Sequence, residues 1–266
     1  MIRNGRYLGA VTSAFFALVL GSVPTRAQTY ARTDDLRTRP PELWFPWKEY
    51  GLDLRAGGGY LQGNVRSNSF SGGIEFTKKL ARHHQVFIEG AQDYAKFKDN
   101  IVLDKTRGSL LYAYALQPQW NLFALSTQAR NRFLQIRYRT MNGGGVCYHS
   151  FLPRFDHILA SLAATPDYEA FNSGLIRRTV RSQARFNFGF PVSPFATVGG
   201  DLIYMPAFSD GADYLIYSEA YLQLKVTQER LSFKIAFTDE YDSRPFAGIQ
   251  KNDKTLNYSL LVHFGK

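Results

Sequence analysis

The stretch Leu231-Ser232-Phe233-Lys234-Ile235-Ala236-Phe237-Thr238-Asp239-Glu240 decides the fold class. Its apolar side chains fall at 231, 233, 235 and 237, and small or polar ones fall between them. That period of two puts every bulky apolar group on one face of an extended strand; a helix would need spacings of three and four. The same alternation recurs where Val180, Ala184, Phe186, Phe188 and Phe190 interleave with Arg181, Gln183, Arg185 and Asn187. It recurs again where Phe70, Ile74 and Phe76 interleave with Ser69, Ser71, Glu75 and Thr77. Followed along the chain, the pattern gives strands over 51–64, 67–78, 84–96, 105–116, 119–131, 136–149, 157–167, 177–190, 195–207, 212–226, 229–241 and 254–264. Each is long enough to cross a bilayer at the usual strand tilt, which takes about 9 to 11 residues. The expected fold is all-β, a transmembrane antiparallel β-barrel of about 12 strands, an even number as in bacterial single-chain barrels.

One segment tests this reading, because Gly108 to Ala129 carries no charge and is long enough for a membrane helix. Gln117-Pro118-Gln119 lies at its centre. In a helix Pro118 would forfeit a backbone hydrogen bond and the glutamines would meet lipid, whereas a hairpin turn accommodates all three residues. Connections at 80–82, 117–118, 191–194 and 227–228 read as tight, and those at 97–104, 168–176 and 242–253 as longer. Short periplasmic turns and longer outer loops are usual in such barrels. A soluble sandwich or lipocalin-like barrel would show the same alternation with the faces reversed. Aromatics at strand ends (Phe76, Tyr94, Tyr138, Phe190, Tyr204, Phe264) favour the membrane, where they form interfacial girdles.

The composition agrees. Aromatic residues make up 15% of the 266 residues, so the chain folds, and Cys147 alone allows neither an internal disulfide nor a cysteine-rich zinc site. The net charge of +10 would suggest nucleic acid as a partner, but the N-terminus points elsewhere. Arg3 and Arg6 precede an apolar run from Leu8 to Leu20, followed by Thr25-Arg26-Ala27, the order of a secretory signal with cleavage after Ala27. An anchor helix needs about 20 apolar residues, more than this run supplies. Residues 28–50 then hold Pro40, Pro41 and Pro46, which exclude regular structure and leave an extended periplasmic arm. Its Trp44, Phe45 and Trp47 can reach the membrane interface, where they are expected together with Phe264 at the other end of the chain, or the barrel's lower mouth, where they would act as a plug. Residues 51–266 form the barrel.

Nucleophile patterns are sparse. His149 and Ser150 are adjacent, so on a strand they face opposite ways, and no G-x-S-x-G elbow exists. His157 beside Asp156 is the other pair on which an outer-membrane lipid hydrolase could rest. His83-His84 reads as a solvated turn, and the cluster Asp239, Glu240, Asp242 and Asp253 lacks the regular spacing of a calcium loop. No catalytic residue, metal or cofactor is expected. The charged face is more informative: Arg55, Arg107, Arg130, Arg132, Arg137, Arg139, Arg181, Arg185, Lys225 and Lys234 are expected inward against Asp53, Glu75, Glu89, Asp93, Asp201, Glu219 and Glu240. Near-balance suits a lumen of paired side chains. The arginines at 130, 132, 137 and 139 nevertheless converge on one outer loop, near Arg177, Arg178 and Arg181. A positive ring there would favour anions in a pore, with Arg185 a further lumen candidate, or would bind lipopolysaccharide phosphates if some of its members point outward.

Two motifs resemble a known family. Gly63-Asn64-Val65-Arg66-Ser67-Asn68-Ser69-Phe70-Ser71-Gly72-Gly73 resembles the opening hairpin of the salt-induced outer membrane protein family. Asp239-Glu240-Tyr241-Asp242-Ser243-Arg244-Pro245, with Gly248-Ile249-Gln250-Lys251-Asn252-Asp253-Lys254-Thr255-Leu256, resembles its closing hairpin. The resemblance covers Gly51 to Phe264 and departs at Phe246-Ala247 and in Gly265-Lys266. It implies an outer-membrane barrel of a Gram-negative bacterium, with no assigned reaction. The sequence thus leads to a non-catalytic barrel, a narrow, weakly anion-selective channel for small solutes. The alternatives are a plugged barrel with a structural or stress-related role and, behind it, the lipid hydrolase. Expected partners are outer-membrane lipids and lipopolysaccharide, the barrel-insertion machinery and small anionic solutes, with no nucleic acid. Cleavage after Ala27 predicts that intact-mass analysis of the membrane-extracted protein finds a chain beginning at Gln28; a mass including residues 1–27 would contradict it.

Overall fold

The computed structural model describes residues 49–265 apart from 62–66, 98–99, 133–134, 151, 153–154, 228–229 and 246–250. Its strands are β1 (Tyr50–Leu61), β2 (Ser67–Ala81), β3 (His84–Phe97), β4 (Asn100–Gln117), β5 (Trp120–Asn131), β6 (Ile136–Ser150), β7 (His157–Phe171), β8 (Ile176–Ser193), β9 (Ala196–Pro206), β10 (Tyr214–Lys225), β11 (Leu231–Asp242) and β12 (Asn252–Gly265). Each pairs antiparallel with its sequence neighbours, and β1 pairs with both β2 and β12, so the sheet closes on itself. Closure leaves no row of unpaired backbone N–H and C=O groups, which lipid could not satisfy. Gly57 stands at the closing seam, where a Cβ would come within 2.8 Å of the Ser259 Cβ; only glycine lets β1 and β12 approach so closely there.

All twelve strands anticipated from the alternation are present, and 108–129 is the β4–β5 hairpin turning at Pro118-Gln119. The loop lengths need correction. β4 starts at Asn100, β7 continues to Phe171, and β12 starts at Asn252, so two of the three loops expected to be long are short. The reason is depth. Near the rim, outward side chains meet headgroups or water, so the apolar half of the alternation fades before the strand ends. In β7 the outward positions become Pro166 and Tyr168 while Thr165, Asp167 and Glu169 continue inward.

The faces are inside-out relative to a soluble protein. Leu54, Ile74, Ile88, Leu110, Leu162, Phe186, Leu202, Ile235 and Leu260 point outward and are 38–63% exposed. Inward neighbours such as Glu89, Arg107, Arg139, Asp167, Arg185 and Lys234 are buried. Aromatics gather at both ends of this belt. Tyr112, Trp120 and Tyr148 lie at the end bearing the chain termini, the latter two with ring centroids 4.9 Å apart. Tyr204, Tyr214 and Tyr241 lie at the opposite end, with centroids 5.8 and 5.7 Å apart. An apolar band between two aromatic girdles is the surface that a bilayer requires of a barrel. Arginine placed in mid-band at Leu162 should therefore cost about 2–4 kcal/mol of folding free energy in lipid vesicles. Denaturant titration of Leu162→Arg checks this, and an unchanged midpoint would contradict a lipid-facing position.

Candidate functional site

The lumen is the only face on which the described chain gathers titratable side chains at depth, and the strand register decides which of them meet. Arg139 on β6 lies opposite Glu169 on β7, and Asp167 projects from the same face of β7 two residues nearer the terminus-bearing end. Arg139 donates to both Asp167 oxygens, from Nε at 3.0 Å and from Nη2 at 2.8 Å, with Glu169 3.4 Å from Nε. Asp167 in turn lies 3.9 Å from Nε of Arg181 on β8. Arg181 donates through Nη2 to Asp213 Oδ1 at 2.9 Å and through Nη1 to the Asp213 carbonyl at 3.1 Å. Arg177 closes the row with a 2.7 Å bond to Asp213 Oδ2. The result is an alternating chain of charges, Glu169–Arg139–Asp167–Arg181–Asp213–Arg177, crossing from β6 to the β9–β10 connection. A planar guanidinium with five N–H donors can serve two carboxylates at once, which is why arginine rather than lysine holds these nodes.

Further pairs fill the remaining circumference. Arg185 donates to both oxygens of Asp201. Lys234 reaches Glu219 at 2.5 Å, Tyr217 donates to the same carboxylate at 3.0 Å, and the ammonium lies 4.2 Å from the Tyr221 ring centroid. Arg107 bonds Glu89 at 2.6 Å, while Arg55 stands 4.0 Å from Glu75 and 3.9 Å from Glu89. Arg55 thereby separates carboxylates that the register sets side by side, since Asp53, Glu75 and Glu89 are direct cross-strand neighbours. Like charges directly opposed would otherwise destabilise the sheet.

Two apolar clusters also occupy the interior. Phe87, Leu111, Ala113, Ala115, Cys147 and Leu159 pack together with Phe123 and Leu125 toward the terminus-bearing end. Met141, Ile203, Met205, Leu215 and Tyr217 pack nearer the other end. The wall formed by β12, β1 and β2 differs: its inward residues include the small Gly57, Ser71, Gly73 and Ser259, which are partly accessible, as are Arg55 and Glu75.

The six arginines singled out from the sequence divide evenly. Arg139, Arg181 and Arg185 are buried in the lumen. Arg130, Arg132 and Arg137 are exposed, so no ring of four converges inward. Arg130 has the outward parity of β5, Arg132 lies in the turn beyond that strand, and register shifts of β6 against both β5 and β7 bring Arg137 and Tyr138 out together. Lys225 is likewise exposed. Among buried charged groups the cations are Lys105, Arg107, Arg139, Arg181, Arg185 and Lys234, against Glu89, Asp167, Glu169, Asp201, Asp213, Glu219, Glu240 and Asp242. The carboxylates Asp167, Glu169, Asp213 and Asp242 were missed because they lie at strand ends or in a connection, although counting on by twos from His157 leads directly to Asp167 and Glu169.

Phe264 is outward and 44% exposed at the terminus-bearing end, whereas Trp44, Phe45 and Trp47 fall outside the described residues. His149 faces inward and is fully buried. His157 Nδ1 is 3.3 Å from Asp156 Oδ2, and this hydrogen bond holds the Asp156 carboxyl below its ordinary range. His84 meets the Tyr112 hydroxyl, and Asp239 is 3.6 Å from Lys254. Among the described residues no group of three His, Cys, Asp or Glu side chains is placed to hold a metal ion.

A family model described as a protein of unknown function, DUF481, matches residues 54–264. No curated protein matches the chain in sequence. Among solved structures, the NanC porin is similar with a TM-score of 0.53 and 14% identity, over 81% of this chain and 100% of that one. The COG4313 outer membrane channel from Pseudomonas putida F1 is similar with a TM-score of 0.52 and 9% identity, over 86% of this chain and 100% of that one. At these identities the likeness shows a common fold.

Removing one member of the alternating chain should be severe. Arg139→Ala strands two buried carboxylates and should cost about 3–5 kcal/mol, whereas exposed Arg137→Ala should stay within about 0.5 kcal/mol. Denaturant titration in detergent compares them, and equal effects would contradict the assignment of faces. At the rim, burial raises the Asp213 carboxyl, but Arg181 and Arg177 outweigh it and leave the pKa below its ordinary value. A lowered carboxylate pKa stabilises the fold fully above the unfolded value of about 3.9 and is lost as pH falls through the folded value. Asp213→Asn should therefore narrow the stability difference from wild type only in that acid range, as thermal unfolding at stepped pH would show.

Proposed function

The chain belongs to the DUF481 family of proteins of unknown function, and from the geometry of its lumen we propose that it is a narrow channel for small polar solutes in the outer membrane of a Gram-negative bacterium. One observation carries the reading. The inward residues on β12, β1 and β2 include the small, partly accessible Gly57, Ser71, Gly73 and Ser259, while charges on the remaining wall such as Arg139, Arg185 and Lys234 are paired. Water and solute would follow the lightly filled wall past Arg55 and Glu75. Twelve strands fall between barrels of about eight, which side chains fill, and those of about sixteen to eighteen, which leave a wide channel. The similar structures are named as a porin and an outer membrane channel, in keeping with passage rather than catalysis.

A preference for anions is the finer part of this reading. The buried lumen cations, Lys105, Arg107, Arg139, Arg181, Arg185 and Lys234, are outnumbered by buried carboxylates, and Arg139, Arg181 and Arg185 are each held by one, so any preference is slight. Passage requires insertion from the periplasmic side by the barrel-insertion machinery, with β12 and its Phe264 as the terminal strand presented. Outer-membrane lipids would then surround the apolar band, and residues 1–27 would be the export signal.

The plugged barrel stands as a second reading because two apolar clusters pack inside the barrel. The lipid hydrolase has only the His157–Asp156 contact behind it, at the terminus-bearing end. Planar-bilayer recording separates them. A channel gives small discrete steps, lowered by Ser71→Trp on the lightly filled wall and unaltered by Ile74→Trp on the outer surface. Its reversal potential in a salt gradient would lie slightly toward the anion. Silence at every salt concentration would leave the plugged barrel, and lipid turnover abolished by His157→Ala would leave the enzyme.

A further inference from the structure

The outer surface carries a basic patch that the channel reading does not use. Arg130, Arg132 and Arg137 are exposed around the β5–β6 turn, and Arg178 on β8 is exposed beside them at the end opposite the termini. The register explains the grouping: Tyr168 on β7 lies directly opposite both Thr140 on β6 and Arg178 on β8. The Arg178 guanidinium stands 5.6 Å from the Tyr168 ring centroid, and Tyr138 is 39% exposed between the two groups of arginines. The patch therefore sits at the level of the aromatic girdle, where an apolar band gives way to headgroups.

Counterions set this patch apart. Three cations elsewhere at the same rim are answered within the protein: Arg244 bonds Asp210 at 2.7 Å, Lys254 lies 3.6 Å from Asp239, and Arg177 bonds Asp213. None of the four patch arginines has a carboxylate within ion-pair distance in the described structure. Asp104, whose backbone carbonyl accepts the Arg132 N–H at 3.0 Å, is the one carboxylate on the outward face of neighbouring β4. Three positive charges thus remain in excess, fixed against a membrane surface. Arginine suits phosphate oxygens, which its planar fork can engage in pairs, and an aromatic neighbour supports a sugar or acyl chain beside the phosphate. We propose that this face binds the phosphorylated glucosamine headgroup of lipopolysaccharide in the outer leaflet, one molecule lying against β5 to β8. The proposal rests on the outer-membrane placement above, and is independent of whether the lumen conducts.

The test uses the detergent-folded barrel and purified lipopolysaccharide, with the bound complex counted by native mass spectrometry. Four guanidiniums matched to phosphate predict that the Arg130→Gln, Arg132→Gln, Arg137→Gln, Arg178→Gln variant binds at least about tenfold more weakly. Arg137→Gln with Arg178→Gln alone should give an intermediate loss, which guards against a folding defect in the fourfold variant. Arg244→Gln with Lys254→Gln, removing cations already paired, should bind as wild type does. Dephosphorylated lipopolysaccharide should bind wild type as weakly as intact lipid binds the fourfold variant. Equal binding of intact and dephosphorylated lipid, undiminished binding by the fourfold variant, or full competition by inorganic phosphate or phosphatidylglycerol vesicles would each overturn the proposal. Density-gradient fractionation of cells checks the membrane placement separately, so loss of one reading is distinguishable from loss of the other.

Discussion

The backbone's need for hydrogen-bond partners in a medium that offers none governs this structure. Each unpaired N–H or C=O in hydrocarbon costs several kcal/mol, so a sheet that crosses a bilayer must close. Here closure falls between β1 and β12, with Gly51 opposite Gly265 and Gly57 opposite Ser259. Once the ring is closed, every side chain must point either to lipid or to the lumen. The period of two then assigns Leu162, Phe186 and Ile235 to one side and Arg139, Arg185 and Lys234 to the other. The fold's stability and its chemistry share this one partition.

Charges confined to such an interior have to be answered at once, because solvent there is scarce. The alternating chain from Glu169 to Arg177 answers many of them across three strands and one connection, and Arg185–Asp201, Lys234–Glu219 and Arg107–Glu89 are further pairs. Pairing brings rigidity and leaves little net field. What the lumen offers a solute is then shape and hydrogen bonding along the Gly57–Ser71–Ser259 wall more than a strong electrostatic preference. On the outer surface the situation is reversed, because the arginines around the β5–β6 turn have membrane and solvent, not carboxylates, as their surroundings.

Strand number, direction and faces were legible in the sequence because each rests on the period of two, which local residue types express. Strand ends were less so. At β4 and β7 the outward half of the pattern loses its apolar character at the rim, so the alternation alone places Glu169 in a loop. The inward ring of arginines failed for a related reason: Arg130 and Arg139 are separated by a turn and a bulge, and one extra residue shifts every later side chain to the opposite face. The apolar clusters around Phe87 and Met205 were not anticipated, since an alternation of large and small inward residues looks like a polar face with scattered exceptions.

Spin labels walked along β11 from Ser232 to Thr238 test the partition itself. With the protein in lipid vesicles, collisions with dissolved oxygen should peak at 233, 235 and 237 and fall at 232, 234, 236 and 238, an oscillation of period two. An oscillation with the opposite phase would place the apolar face inside, and a period near 3.6 would contradict the barrel altogether.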